Sequence, residues 1–171
     1  MPTLAHILIV EDVATDAELI EREIRRAGIG CAARRVDTET ALRDALRNFA
    51  PDLVLTDHSM PQLTARDTLR LVAQETPDTP VIIVTGSLDE EIAAEYMKAG
   101  ATDYVVKHHL ERLGPAVRDP RRAQAALSSL SPQERRAYLA AVDEEGAIPE
   151  AMNREQRRRL EKAKRDAQRG R

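Results

Sequence analysis

The first two thirds of the chain alternate between short apolar runs and longer segments in which apolar residues recur with a helical period. Five short runs lie near residues 7–10, 32–36, 53–57, 81–85 and 103–106, and the first, third and fourth are rich in β-branched residues. Runs that are apolar nearly throughout are typical of strands buried on both faces of a parallel sheet. The second run carries Arg34 and Arg35, which predicts an edge strand. The pattern therefore predicts an α/β fold, with a doubly wound, five-stranded parallel sheet and right-handed crossovers.

Helix-start signals lie in the segments between the runs. Thr15 with Glu18 has the spacing of a capping box, in which a hydroxyl and a carboxylate satisfy free backbone N–H groups. Ser87 with Glu90 has the same spacing, and Thr64 is a candidate N-cap. These signals predict that the first, third and fourth helices begin near residues 14, 64 and 87.

Polar residues end or directly follow four of the predicted strands: Glu11, Asp12, Asp57, Thr85 and Lys107. Because ligands bind at the carboxyl ends of strands in an open α/β sheet, we expect these side chains to share one edge. Carboxylates packed together repel unless a cation lies among them, and Mg²⁺ prefers oxygen ligands. A lysine nearby would bind phosphate oxygens. The sequence therefore predicts a Mg²⁺ site in which Asp57 acts as a nucleophile toward a phosphoryl group.

Charge is divided unevenly along the chain. Residues 1–117 contain 12 Lys and Arg against 20 Asp and Glu, a net charge of −8, whereas residues 118–171 contain 14 against 9, a net charge of +5. No strand pattern follows Val106, and Ser131-Pro132 is typical of a helix start. We therefore predict an α-helical C-terminal extension over residues 118–171. Its basic residues are interleaved with acidic ones, which favours a solvated helix face over a nucleic-acid contact.

Composition narrows the class of protein further. No apolar run approaches the ~20 residues that a bilayer-spanning helix needs, and the N-terminus lacks the pattern of a signal peptide. The single cysteine, Cys31, excludes a disulfide framework and a cysteine metal cluster. These features predict a soluble cytoplasmic protein with one main domain and an appendage.

The motifs at the strand ends resemble, in order and spacing, the receiver domain of two-component response regulators. They are Glu11-Asp12, the segment 57–61, Thr85-Gly86 and the segment 99–107. The resemblance covers about residues 4–117. It implies a receiver domain over residues 1–117 with a flavodoxin-like fold.

The resemblance also implies a role for each site residue. Asp57 is expected to be the phosphoacceptor, with Thr85 and Lys107 binding the phosphoryl group. Thr85 and Tyr104 are expected to form a switch that reshapes the face of the fourth helix, fifth strand and fifth helix after phosphorylation. The implied Mg²⁺ ligands are the carboxylates of Glu11, Asp12 and Asp57 and the backbone carbonyl of Ser59.

The function implied is that of a response regulator in a phosphorelay. Its phosphoryl donor is expected to be the phosphohistidine of a sensor histidine kinase or of a histidine phosphotransfer protein. Its output is expected to be protein–protein contact, with a possible homodimer through the same switch face. The only chemistry expected is self-catalysed phosphoryl acceptance and autodephosphorylation, so the chain is not expected to be a turnover enzyme.

Three alternatives stay open. The basic extension is an alternative nucleic-acid-binding output, which the lack of a clear helix-turn-helix pattern disfavours. It is also a candidate regulator that covers the switch face until phosphorylation. A Mg²⁺-dependent phosphatase would need a second carboxylate two residues after the nucleophile, where Ser59 stands.

One departure from the family pattern concerns the residue after the lysine. The family usually has a proline there, often in a cis peptide bond, whereas this chain has His108. Because a cis bond to a non-proline residue costs ~3 kcal/mol, we predict a trans bond or a rearranged loop after Lys107.

Overall fold

The computed structural model of the chain describes residues 5–87 and 89–121, together with residues 131 and 133. Five strands form one sheet, and every pairing between neighbouring strands is parallel. They are β1 (Ala5–Val10), β2 (Cys31–Val36), β3 (Leu53–Asp57), β4 (Val81–Thr85) and β5 (Asp103–Val106). The order β2-β1-β3-β4-β5 confirms the predicted sheet and makes the arginine-bearing second strand an edge.

Strands and helices alternate strictly along the chain, with one helix after each strand. They are α1 (Ala14–Arg26), α2 (Glu39–Asp44), α3 (Ala65–Glu75), α4 (Glu90–Lys98) and α5 (Leu113–Arg118). A π-helical turn, Ala45–Phe49, continues α2, and a 3₁₀ segment, Lys107–Arg112, leads into α5. Among the described residues no helix has both the length and the apolar character needed to cross a bilayer.

Side chains alternate between two hydrophobic layers, one on each face of the sheet. In β1, Ile7 and Ile9 pack with α1 and α5, whereas Leu8 and Val10 pack with α2, α3 and α4. This alternation follows from the two-residue period of a strand. Because both faces are covered, β1, β3 and β4 are buried along nearly their whole length, which is why they read as continuous apolar runs.

The predicted cap at Thr64 is confirmed. Its hydroxyl accepts a hydrogen bond from the Asp67 backbone N–H, and the Asp67 carboxylate accepts one from the Thr64 N–H, which completes a capping box. The two other predicted caps are wrong.

Helix α1 has Val13 at its N-cap, with no side-chain capping bond. The Glu11 carboxylate accepts a hydrogen bond from the Val13 N–H at 3.1 Å. The start of α1 is therefore stabilised by Glu11 and not by the predicted box of Thr15 and Glu18. Helix α4 is capped by Asp89, whose carboxylate accepts hydrogen bonds from the N–H groups of the next turn.

Helix α5 is short. It ends at Arg118, before Pro120, as expected from the steric clash of proline with a preceding helical turn. Most of the predicted helical extension, including the helix expected from Ser131 and the basic stretch, lies outside the described residues.

Candidate functional site

The carboxyl edge of the sheet brings the predicted site residues together. The strand register sets Val10 beside Thr56 and Asp57 beside Val84, so Glu11 follows β1 where Asp57 ends β3. Thr85 ends β4, and Lys107 follows β5 directly. The chain reverses its direction of winding between β1 and β3, and this is where open α/β sheets form a ligand crevice.

Three carboxylates, which we call the acidic trio, converge in this crevice: Glu11, Asp12 and Asp57. Each contributes an oxygen, and these oxygens lie within 4.8 Å of one another. Glu11 and Asp57 are buried, whereas Asp12 is exposed. Burial raises the pKa of Glu11 above its ordinary value, despite the hydrogen bonds it accepts from Lys107 and the Val13 N–H. An all-oxygen donor set with one solvent-facing member fits Mg²⁺, which keeps several of its waters.

Lys107 is held by carboxylates on three elements. Its Nζ lies 2.8 Å from Glu11 Oε2, 2.6 Å from Asp16 Oδ2 and 3.4 Å from Asp57 Oδ1. Burial by itself would lower the pKa of the ammonium, but the hydrogen bonds to Asp16 and Glu11 outweigh it and raise that pKa. Lys107 therefore stays a cation beside Asp57 throughout the physiological range.

Asp16 is one of the site residues that the sequence pattern did not predict. It lies in the first turn of α1, five residues after Glu11. A signal was present, because a helix that starts directly after an acidic pair brings its first-turn side chains back toward that pair. The predicted start of α1 at residue 14 was accurate enough to apply this geometry.

The loop after β3 covers the Asp57 carboxylate. Asp57 Oδ2 accepts a hydrogen bond from the Ser59 N–H at 3.3 Å. Next to it, His58 Nδ1 lies 2.8 Å from the Tyr96 hydroxyl on α4. The residues that follow Asp57 are therefore linked to α4 by a side-chain hydrogen bond that the sequence did not indicate.

Thr85 and Tyr104, the two predicted switch residues, share one acceptor. The Thr85 hydroxyl and the Tyr104 hydroxyl each donate to the Ser87 carbonyl at 3.2 Å. Both side chains are buried, and burial raises the pKa of Tyr104 to about 12. Tyr104 therefore remains a hydrogen-bond donor at neutral pH. Ser87 is not the cap of α4 because that helix begins at Glu90, with Asp89 at its N-cap.

The connection after Lys107 follows the predicted trans course, since all peptide bonds among the described residues are trans. A 3₁₀ turn follows, and Arg112 at its end is buried. Arg112 donates to the Tyr104 carbonyl at 3.0 Å and lies 3.6 Å from the Asp103 carboxylate. These contacts hold the 3₁₀ turn, which begins at Lys107, against β5. No sequence pattern singles out Arg112, because most arginines are exposed.

A parallel sheet in this strand order, with an acidic trio and a lysine at its carboxyl edge, is the arrangement of a receiver-type signalling domain. The sequence profile of the response regulator receiver domain matches residues 7–118, and the chain therefore belongs to the response regulator receiver family.

Individual relatives agree with this assignment. The chain is 31% identical to the transcriptional regulatory protein FixJ of Bradyrhizobium diazoefficiens over 151 residues, which covers 79% of this chain and 72% of FixJ. It is 34% identical to the regulatory protein LuxO of Vibrio vulnificus over 98 residues, which covers 57% of this chain but only 21% of LuxO. The matched segment thus spans about a fifth of the length of LuxO.

Solved structures show the same fold. The crystal structure of a response regulator receiver domain protein from Clostridium thermocellum superposes with a TM-score of 0.61 at 31% sequence identity. The match covers 72% of this chain and 99% of that one.

Proposed function

We propose that this protein is a response regulator that accepts a phosphoryl group on Asp57 from the phosphohistidine of a sensor histidine kinase or a histidine phosphotransfer protein. The observation that carries the proposal is the place of Asp57, which lies within the acidic trio and 3.4 Å from the Lys107 ammonium. Lys107 places positive charge beside this carboxylate, and phosphoryl transfer needs such charge to stabilise the negative oxygens of the transferring group.

The transfer step is a displacement at phosphorus. A carboxylate oxygen of Asp57 forms the new O–P bond as the P–N bond to the donor imidazole breaks, and the imidazole leaves with the electron pair of that bond. Lys107 compensates the charge on the phosphoryl oxygens, and Thr85 offers its hydroxyl to one of them once that hydroxyl leaves the Ser87 carbonyl. Positioning and charge compensation supply most of the catalysis, as is general for phosphoryl transfer.

The acidic trio and the Ser59 carbonyl are the proposed Mg²⁺ ligands. When bound, Mg²⁺ supplies positive charge to the phosphoryl oxygens and relieves repulsion among the carboxylates. Burial of Glu11 supports this assignment, because a buried carboxylate beside two others is costly and the single charge of Lys107 compensates only part of it.

The proposed output is a change in the surface around α4 and β5. If Thr85 turns toward the phosphoryl group, the Ser87 carbonyl loses one of its two hydroxyl donors, and Tyr104 is free to move with it. Downstream proteins, or a second copy of the chain, would then bind the face made by α4, β5 and α5. We place the receiver in residues 1–117 and this signalling in the cytoplasm.

Labelling with acetyl phosphate tests the proposal. The intact protein should take up one phosphoryl group in the presence of Mg²⁺, detected by mass spectrometry or phosphate-affinity electrophoresis, and Asp57→Asn should abolish uptake. Asp52→Asn is the matched control, since Asp52 is exposed and precedes the same strand at its opposite end. Undiminished labelling of Asp57→Asn, or no labelling of the wild type, would overturn the assignment.

A second candidate output is binding to DNA. The match to FixJ covers 79% of the 171 residues, about 135, which is more than the span 7–118 and therefore includes part of the extension. FixJ is a transcriptional regulatory protein, and residues 118–171 carry a net charge of +5. These two observations support an extension that contacts nucleic acid.

Fluorescence anisotropy with duplex DNA separates the two outputs. A DNA-binding extension predicts affinity that falls steeply with salt, because each neutralised phosphate releases counterions. A chain ending at residue 121 should then lose the affinity while keeping phosphoryl uptake. Absent or salt-independent binding by the full chain would leave protein–protein contact as the output.

A further inference from the structure

Asp16 makes the shortest contact to Lys107, yet it stands outside the acidic trio. Its Oδ2 lies 2.6 Å from Lys107 Nζ, and its side chain is one third exposed, whereas Glu11 is buried. Helix α1 carries Asp16, so this contact joins α1 to the segment that follows β5.

Lys107 needs such a partner because its side chain is flexible. A lysine has a four-carbon stem with free rotation about each bond, and holding its ammonium at one point requires fixed acceptors. The backbone at this position begins a 3₁₀ turn and continues into His108, so no proline restrains the loop.

Glu11 alone is a poor anchor for this ammonium. One oxygen of Glu11 already accepts the Val13 N–H, and a cation held by the trio would compete with Lys107 for the other. Asp16 is not a member of the trio and stays available to Lys107 in either case. An ammonium has three N–H donors, so bonds to Asp16 and Glu11 leave the third for Asp57 at 3.4 Å.

We infer that Asp16 is a positioning residue, which holds the Lys107 ammonium beside Asp57 so that this ammonium is in place when a phosphoryl group arrives. The inference rests on the proposed function. In this role Asp16 acts through its contact with Lys107, and not by a contact with the phosphoryl donor.

The direction in which Asp16→Asn changes the labelling rate distinguishes a positioning role from simple charge repulsion. Asp16→Asn removes a negative charge near an anionic donor, so simple repulsion predicts faster labelling by acetyl phosphate. Positioning predicts the opposite, namely a maximal rate about tenfold lower, the scale of one charge-assisted hydrogen bond lost at a partly exposed site. The half-saturating acetyl phosphate concentration should not change. Glu18→Gln, an exposed residue on the same helix, controls for the loss of a negative charge from α1.

A double-mutant cycle with Lys107→Met tests whether Asp16 acts through the lysine. Asp16→Asn should slow labelling in the wild-type background and have no further effect when Lys107 is methionine. A faster or unchanged rate in the single variant, or an equal decrease in both backgrounds, would overturn the inference.

A measurement without phosphorylation keeps the inference separate from the proposed function. The ¹⁵N signal of the Lys107 ammonium should be visible by NMR in the wild type, because hydrogen bonding slows its proton exchange, and Asp16→Asn should broaden or shift it. If acetyl phosphate fails to label the wild type, the proposed function fails, and this signal still decides the contact. An ammonium signal that Asp16→Asn leaves unchanged would show that Asp16 does not hold the lysine.

Discussion

At the scale of single residues, the buried pair of Asp103 and Arg112 combines an ion pair with incomplete hydrogen bonding. The two residues are 4% and 3% exposed, and one Asp103 oxygen and two Arg112 nitrogens have no hydrogen-bond partner among the described residues. Burial raises the pKa of Asp103 to about 6, although Arg112 and the Tyr104 N–H oppose the rise. The loop that carries Lys107 therefore depends on a carboxylate that titrates near neutrality.

The pH dependence of stability should reveal this group. Its pKa is raised in the folded state, so between about pH 4 and pH 6 the folded protein binds a proton that the unfolded chain has lost. The contribution of Asp103 to the free energy of unfolding should therefore fall as pH rises through that window, by at most ~3 kcal/mol. Urea unfolding of the wild type and of Asp103→Asn across this range isolates the effect as a difference curve.

Carbon-13 NMR gives the matching direct measurement. The Asp103 carboxyl carbon should titrate near pH 6, whereas the Glu75 carboxyl carbon should titrate below its ordinary range, because hydrogen bonds from Arg47 lower the pKa of Glu75. A flat difference curve together with an Asp103 midpoint near 4 would contradict the burial argument.

At the scale of elements, the starts of α1 and α3 show that a capping sequence pattern does not always form a cap in the structure. Thr64 and Thr15 have the same predicted role, each followed three residues later by a carboxylate. Only Thr64 accepts the capping hydrogen bond, because α1 begins at Ala14 and Thr15 therefore lies inside the helix. The N–H of Val13, the N-cap residue of α1, donates to Glu11.

Two alanine substitutions test this difference. Thr64→Ala should lower the free energy of unfolding by ~1 kcal/mol, the usual cost of losing an N-cap hydroxyl. Thr15→Ala should leave it unchanged within ~0.5 kcal/mol, because that exposed threonine lies inside the helix, where alanine is a good helix former. Chemical denaturation of both variants checks the pair, and equal losses of stability would mean that the sequence pattern, and not the observed geometry, describes α1.

At the scale of the whole molecule, the acidic trio connects stability to the ionic content of the solution. Three carboxylates with oxygens within 4.8 Å repel one another, and Lys107 compensates only part of that charge. A ligand that binds only the folded state stabilises it by mass action.

Mg²⁺ should therefore raise the unfolding temperature more than NaCl of equal ionic strength. The expected gain is about 1.4 kcal/mol at ten times the Kd. Asp12→Asn should remove this gain, and without Mg²⁺ it should be at least as stable as the wild type, because one repelling charge is gone. Thermal unfolding of both proteins, in Mg²⁺ and in NaCl, checks whether the order of their unfolding temperatures reverses. An equal response to Mg²⁺ in both would show that the trio does not hold the ion.

The sequence by itself determined the fold class, the order of strands and helices, and the residues at the strand ends. The physical reason is that a strand buried on both faces must be apolar throughout, so polar residues mark its end, and parallel strands collect those ends at one edge. This reasoning selects five site residues from the sequence alone: Glu11, Asp12, Asp57, Thr85 and Lys107.

Only the tertiary structure decided which of those groups touch, and through which partners. Asp16 meets Lys107 from an element 91 residues away in the chain, and His58 meets Tyr96 across 38 residues. The Ser87 carbonyl accepts two hydroxyls, and Arg112 is buried against Asp103. Such contacts depend on side-chain direction and on the distance between packed elements, and neither follows from the local periodicity of apolar residues.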